Sequence, residues 1–258
     1  QQFYTLNTNV LRKKLSVAKT QRSGLSNTVI EFPTVNGEFE KFQVWENSNF
    51  APELQQKYPN IRAYVGRSIS DKATTINFSL SPRGIQTMIL KADNNSEFIE
   101  PASKEGEFYI LFDSKTRVTE KLPFVCKTID KKINQDALNR TQLTSRANNQ
   151  SYKTLRLALS CTGEYAAYFG GKEAALAAMN ATMTRVNGIF EKDLAVHLNI
   201  IANNDLVIYT NPNSDPYSDA STGSEGDWNS ELQNNLTKIL GNEVYDIGHL
   251  FGASGGGG

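Results

Sequence analysis

The chain has 258 residues, and 27 basic side chains balance 27 acidic ones, so its formal net charge is zero. With 39% hydrophobic and 21% charged residues it has the composition of a globular protein of roughly two domains. Zero charge removes the electrostatic case for nucleic acid or an anionic membrane as partner, and no run of about 18 apolar residues is present to span a membrane.

The sequence opens on Gln1 with no apolar signal core after it, as expected of a secreted protein whose signal peptide has been removed and equally of a recombinantly expressed piece of a longer chain. Glycosylation sequons stand at Asn77, Asn139, Asn149, Asn180 and Asn235 and matter only in a glycosylating host. Cys126 and Cys161 are too few for a disulfide scaffold. One bridge, two thiols, or pairing outside this chain all stay open.

The first half predicts strands. Asn27–Pro33 and Glu38–Trp45 come first, and Ala51–Tyr58 follows as a short helix with Pro52 near its start, where a missing N–H costs nothing. Ile76, Phe78 and Leu80 alternate with polar residues, the period of a half-buried strand. Ser81-Pro82-Arg83-Gly84 is a turn signal, so residues 74–90 predict a hairpin. Glu107–Phe112 is a further strand. Residues 131–151 are polar and nearly free of large apolar groups, and such a segment buries too little to offset its ordering entropy. It predicts an exposed linker, with Arg140 and Arg146 as processing sites.

The second half alternates strands and helices, the pattern of an α/β layer. Leu155, Leu157 and Leu159 share one strand face. Leu176, Met179, Met183, Val186 and Phe190 form one stripe of a long amphipathic helix after Gly170-Gly171. Val196, Leu198 and Ile200 form the inward face of a second strand, and Leu206–Tyr209 a short third. A polar loop over residues 211–227 leads to a second helix with Leu232, Leu236, Ile239 and Leu240 on its apolar side. An apolar strand approach then ends in Gly255-Gly256-Gly257-Gly258, which fits a tail, a loop, or the cut end of a longer protein. The layer the fold lacks favours the cut.

The histidines are His197 and His249. A His-Glu-x-x-His metal helix needs two imidazoles one turn apart, and neither histidine has such a partner. His197 predicts a partly exposed sheet residue, and His249 a helix-end residue bonding a backbone carbonyl. No nucleophile elbow, phosphate-binding loop or dinucleotide glycine pattern occurs. From its residues alone the chain is a secreted two-domain protein.

Several stretches in order resemble the first half of a reprolysin (adamalysin) catalytic domain of the metzincin clan, in its bacterial secreted form. They are Leu155-Arg156-Leu157-Ala158-Leu159, residues 183–190, Leu206-Val207-Ile208-Tyr209-Thr210-Asn211, and Tyr245-Asp246-Ile247-Gly248-His249-Leu250-Phe251. Cys161-Thr162-Gly163-Glu164-Tyr165 and the terminal glycines add to the likeness. Residues 27–100 resemble the propeptide of those enzymes through Glu53-Leu54, Lys57-Tyr58-Pro59, Tyr64-Val65-Gly66 and the Ser81–Gly84 turn.

The resemblance implies an α+β chain in three parts. Residues 1–130 are a β-rich propeptide domain, 131–151 a processing linker, and 152–258 a truncated α/β upper subdomain with a mixed twisted sheet and two long helices. It implies a zinc-dependent endopeptidase acting on peptides or proteins, with the zinc ligands and general base beyond Gly258, so that this chain alone is inactive. Gly255, Gly256 and Gly257 would approach the substrate cleft, and the remaining C-terminal fragment would be a partner. Calcium is in doubt, because Arg156 stands where some members carry an acidic ligand. Late in the propeptide, Cys126 is a candidate latency thiol on the zinc, although Lys127 replaces the usual glycine after it. A structural role bridged to Cys161 is the competing reading. The alternative for the whole chain is a non-catalytic secreted binding or inhibitory module.

Overall fold

The computed structural model describes residues 2–93, 95–103, 106, 108–115 and 151–252. Cys126, Arg140, Arg146, the sequons at Asn139 and Asn149, and Gly255–Gly257 lie outside them.

Strand alternation organises the first half. Its elements are β1 (Gln2–Thr5), α1 (Thr8–Leu15), β2 (Val29–Pro33), β3 (Phe39–Glu46), α2 (Pro52–Lys57), β4 (Arg62–Ser68), β5 (Thr75–Ser81), β6 (Gly84–Leu90), β7 (Ser96–Pro101) and β8 (Phe108–Asp113). The strands form one curled antiparallel sheet in the order β1-β8-β7-β6-β5-β4-β3-β2. Ile76, Phe78 and Leu80 are fully buried on its inner face with Phe42, Ile89 and Leu111. Asn7 caps α1 by accepting from the Val10 N–H, and the helix lays Leu11 and Leu15 into the same core. The β5–β6 hairpin turns where expected, with Ser81 paired to Gly84. Gly84 has φ +97°, and the Tyr109 hydroxyl occupies the space a Cβ would need. The ends of the curl are tied by Gln2 Nε2 donating to Val35 O at 3.1 Å and by the buried Glu97, which accepts from Val35 N and pairs with Lys91.

The second half contains β9 (Lys153–Cys161), α3 (Gly163–Phe169), α4 (Lys172–Leu194), β10 (Val196–Ile200), α5 (Trp228–Ile239) and β11 (Ile247–Phe251). The small sheet has the order β10-β9-β11, and both pairings are parallel rather than mixed as expected. The crossovers from β9 to β10 and from β10 past β9 to β11 run in opposite directions across the sheet, and right-handed crossovers then put their helices on opposite faces. Accordingly Leu157, Leu159 and Cys161 of β9 pack with α3 and α4, while Ala158 packs with Leu236 of α5. Ile239, expected on the apolar side of α5, is 42% exposed.

A further expectation is corrected by the turn after β10. Leu206–Tyr209 is not a strand: Asn204–Val207 forms a 3₁₀ turn, and only Ile208 bridges to Cys161. Beyond Ile200 the edge of β9 is taken by the Asn204 side chain, which accepts from Leu159 N at 2.7 Å and donates to Leu159 O at 2.9 Å. An amide side chain thus replaces a strand partner. The sequons at Asn77, Asn180 and Asn235 are buried, so a folded chain does not present them to a glycosylating enzyme.

The long helix α4 is buried on two sides. Its predicted stripe, Leu176, Met179 and Met183, packs on the small sheet. Its other side carries Ala177, Ala178, Ala181 and Gly188 against the outer face of β5, where Asn77, Ser79 and Ser81 point. A Cβ at Gly188 would lie 2.6 Å from the Asn77 side chain, so helix and strand pack at close range. Among the described residues, no helix is long and apolar enough to cross a membrane.

Candidate functional site

Two places join the sequence motifs to the fold. One is the ledge at the carboxyl ends of β9 and β11, where ligand crevices form in open α/β sheets. Thr162 follows β9 and accepts from Tyr165 N through its hydroxyl, starting α3, while its own N–H donates to Phe251 O at 3.0 Å. The segment 211–217 closes over this turn. Asp215 accepts from Gly163 N at 2.6 Å, and a Cβ on Gly163 would lie 2.3 Å from Pro212 N. Beneath it a buried chain of hydroxyls and amides is fully engaged. Tyr209 donates to Asn235, Asn235 to the Tyr217 hydroxyl, Tyr217 to Ser160, and Ser160 to Val207 O. Trp228 covers Gly252 where the chain leaves β11.

Cys161 lies under this ledge, completely buried and with a free thiol. It packs in the core rather than in a bridge. Burial pushes its pKa up to about 12, against a partial offset from its contact with Tyr209 O. The folded protein should therefore leave Cys161 unlabelled by iodoacetamide at pH 8, with full labelling only in denaturant. Peptide mass mapping reads this, and rapid labelling of native Cys161 would contradict the packing.

His249 sits on β11 opposite Leu159 rather than at a helix end, with its ring edge-on to Phe251 at 5.1 Å. Arg156 donates to Asp246 through Nη2 at 2.7 Å. That hydrogen bond, with one from the Arg156 backbone N–H, holds the Asp246 carboxyl at about 2.

The second place is the seam between the halves, built on residues 47–51 between β3 and α2. β10 has a free edge, and this segment fills it. Ile200 N donates to Asn49 O at 2.7 Å, and Ala51 N donates to Ile200 O at 2.8 Å. Phe50, Leu54 and Ile61 follow into the core of the second half, and Leu54 and Ile61 are fully buried there. Behind them runs a polar stripe of α4. Asn49 Nδ2 donates to Asn180 Oδ1 and Thr184 Oγ1, at 2.9 and 2.8 Å. Asn187 Nδ2 donates to Asn49 Oδ1 and Leu198 O, both at 2.9 Å, and its Oδ1 accepts from Leu198 N at 2.8 Å.

His197 closes this stripe. It is 4% exposed, not partly exposed as its neighbours suggested, because residues 47–51 cover the face of β10 on which it lies. Its Nδ1 is 2.5 Å from Glu191 Oε1, and its Nε2 is 3.2 Å from Ser48 O. Asn47 also donates to Glu191. Burial pushes the Glu191 carboxyl up, but the donors from His197 and Asn47 outweigh it and leave the group below its ordinary value.

None of this fits zinc. His197 is fully engaged by Glu191 and Ser48, His249 has no second imidazole beside it, and among the described residues no three His, Cys, Asp or Glu side chains cluster as ligands.

Comparison with known proteins gives one positive finding. Residues 151–258 match the family model described as "Metallo-peptidase family M12B Reprolysin-like", which supports a reprolysin-like metalloprotease domain over that stretch. No curated protein matches the chain.

The seam residues had one signal in the sequence. Asn180, Thr184, Asn187 and Glu191 are spaced 4, 3 and 4 apart, one face of a helix. A polar stripe usually faces water, so the spacing alone does not point to burial.

Proposed function

We propose that this chain is the front part of a secreted zinc metalloendopeptidase in its precursor form, with residues 1–130 as a propeptide that holds the enzyme latent. The family match over residues 151–258 carries the reading. The seam supports it, because the first half supplies a strand-like edge to β10 and three apolar residues to the second half's core. A propeptide bound in this way would template the upper subdomain and have to be pulled off its edge to release it.

The metal belongs to residues beyond this chain in this reading. Bound there, zinc would supply the acidified water of the family's hydrolysis. Gly255, Gly256 and Gly257, which follow β11 in the sequence, are the candidate approach to the substrate cleft. Cys126 is the candidate thiol for the metal's open position, and Arg140 and Arg146 are the candidate processing sites. Peptide and protein substrates, and a C-terminal fragment that stays with this chain after cutting, belong to the same proposal.

The test is to express the chain with the sequence that follows it in its gene and to assay peptide hydrolysis. The expected result is chelator-sensitive activity that rises when the chain is cut between residues 131 and 151, while the chain alone neither hydrolyses peptide nor holds zinc. Stoichiometric zinc on the isolated chain, or hydrolysis indifferent to the cut, would overturn it. Binding of an intact protein without any hydrolysis would instead favour the non-catalytic module.

A further inference from the structure

Beside α4 the outer face of β3, β4 and β5 is left open as a groove of about 650 Å³, a size that takes a few residues of peptide. Strand alternation sets its floor. Trp45, Val65 and Asn77 are paired in register across the three strands, so they share one face, and Arg67 lies two residues along β4 on that same face. α4 supplies a wall with Gly188 and Lys192, one helical turn apart. Leu25 and Tyr152 add apolar lining that is 77% and 42% exposed. The Trp45 ring is fixed by its Nε1, which donates to Gly24 O at 2.8 Å.

Two observations mark this groove as a site. First, Asn77 is only 5% exposed, yet its side-chain amide has no hydrogen-bond partner among the described residues. Gly188 packs against one side of that amide, and the groove is the side from which a partner can come. A buried amide left unmet is costly, so the position calls for one. Second, Arg67 and Lys192 line the same groove, and neither has an ion-pair partner among the described residues. The acid in the lining, Glu191, is already engaged by His197, Asn47 and Tyr152.

We propose that this groove binds an extended peptide segment in which an acidic residue stands beside an aromatic or aliphatic one. The Asn77 amide offers a carbonyl and an NH2 group together, the complement of a peptide unit. The apolar side chain lies on Trp45 and Val65. The carboxylate meets Arg67 and Lys192. A fatty acid would satisfy the cations and the apolar floor but would leave the Asn77 carbonyl unmet, because a carboxylate only accepts.

The floor belongs to the first half of the chain and the α4 wall to the second, so the site exists only while the halves are docked. A ligand that binds the docked state alone also reinforces it, by mass action. This does not depend on the peptidase reading, since it uses only the assembled chain.

NMR titration of the full chain with acetyl-Asp-Phe-Asp-amide tests the proposal, with acetyl-Asp-Ala-Asp-amide and acetyl-Lys-Phe-Lys-amide as comparisons. The first peptide should shift the Trp45 indole N–H and the Asn77 side-chain amide saturably. The alanine peptide should bind about tenfold more weakly or worse, having lost its apolar contact, and the basic peptide should not bind. Asn77→Ala should weaken binding about tenfold, the loss of one hydrogen bond. Arg67→Glu with Lys192→Glu changes two exposed side chains, so the fold should survive and the preference should reverse toward the basic peptide. That variant decides the matter even if Asn77→Ala fails to fold. Unshifted Trp45 and Asn77 signals at millimolar peptide, equal binding of acidic and basic peptides, or an unchanged preference in the charge-reversed variant would overturn the proposal.

Discussion

Gly163→Ala should cost more than about 4 kcal/mol, beyond the range of ordinary substitutions. The added methyl would sit 2.3 Å from Pro212 N, 2.4 Å from Asn211 C and 2.6 Å from Pro212 Cα. All three atoms are backbone, so no rotamer can relieve the clash. The segment 211–217 would have to lift, and Asp215 would lose its bond to Gly163 N. Gly170→Ala is the contrast. Gly170 has φ +96° but open space around its missing Cβ, so only the left-handed backbone is penalised, at about 1 kcal/mol. Urea unfolding of the two variants measures both costs. Equal losses would show that the ledge is not packed as described.

Asn187→Ala should cost about 3–5 kcal/mol, because one amide serves both halves. Truncation strands Leu198 N and O and Asn49 Oδ1 in a buried site, and each unmet group costs about 1–3 kcal/mol. Asn187→Asp separates shape from donors. It fills the same volume and still accepts from Leu198 N, but it turns an oxygen toward two acceptors. It should therefore be nearly as damaging as alanine. An aspartate variant with wild-type stability would refute the donor argument.

How far the sequence foretold this depends on which physical signal each element carries. Ile76, Phe78 and Leu80 alternate cleanly because one face of β5 is apolar, and the hairpin to β6 was legible from its turn residues. β4 was not read as a strand from its pattern, since Gly66 interrupts it. That glycine is required because a Cβ there would lie 2.8 Å from Ile76. In α4, hydrophobic periodicity found the stripe facing the small sheet and missed the second buried side. Alanine, glycine and threonine pack closely there without raising any apolar signal. Asn204 standing in for a strand, and His197 buried under residues 47–51, are long-range effects that no local window contains. The ledge motifs placed β9 and β11 in the fold but did not place His249, whose helix-end reading ignored the β-rich run around it.

The central claim is that the two halves form one docked unit through residues 47–51 and the core around Leu54. A specific protease site placed between Arg140 and Arg146 allows the full chain to be cut after folding, with size-exclusion chromatography as the readout. Co-elution of the two pieces at the mass of the uncut chain is the predicted result, with Leu54→Ala, a buried truncation worth about 2–5 kcal/mol, weakening it. Pieces that separate on cutting in the unsubstituted protein would contradict the account.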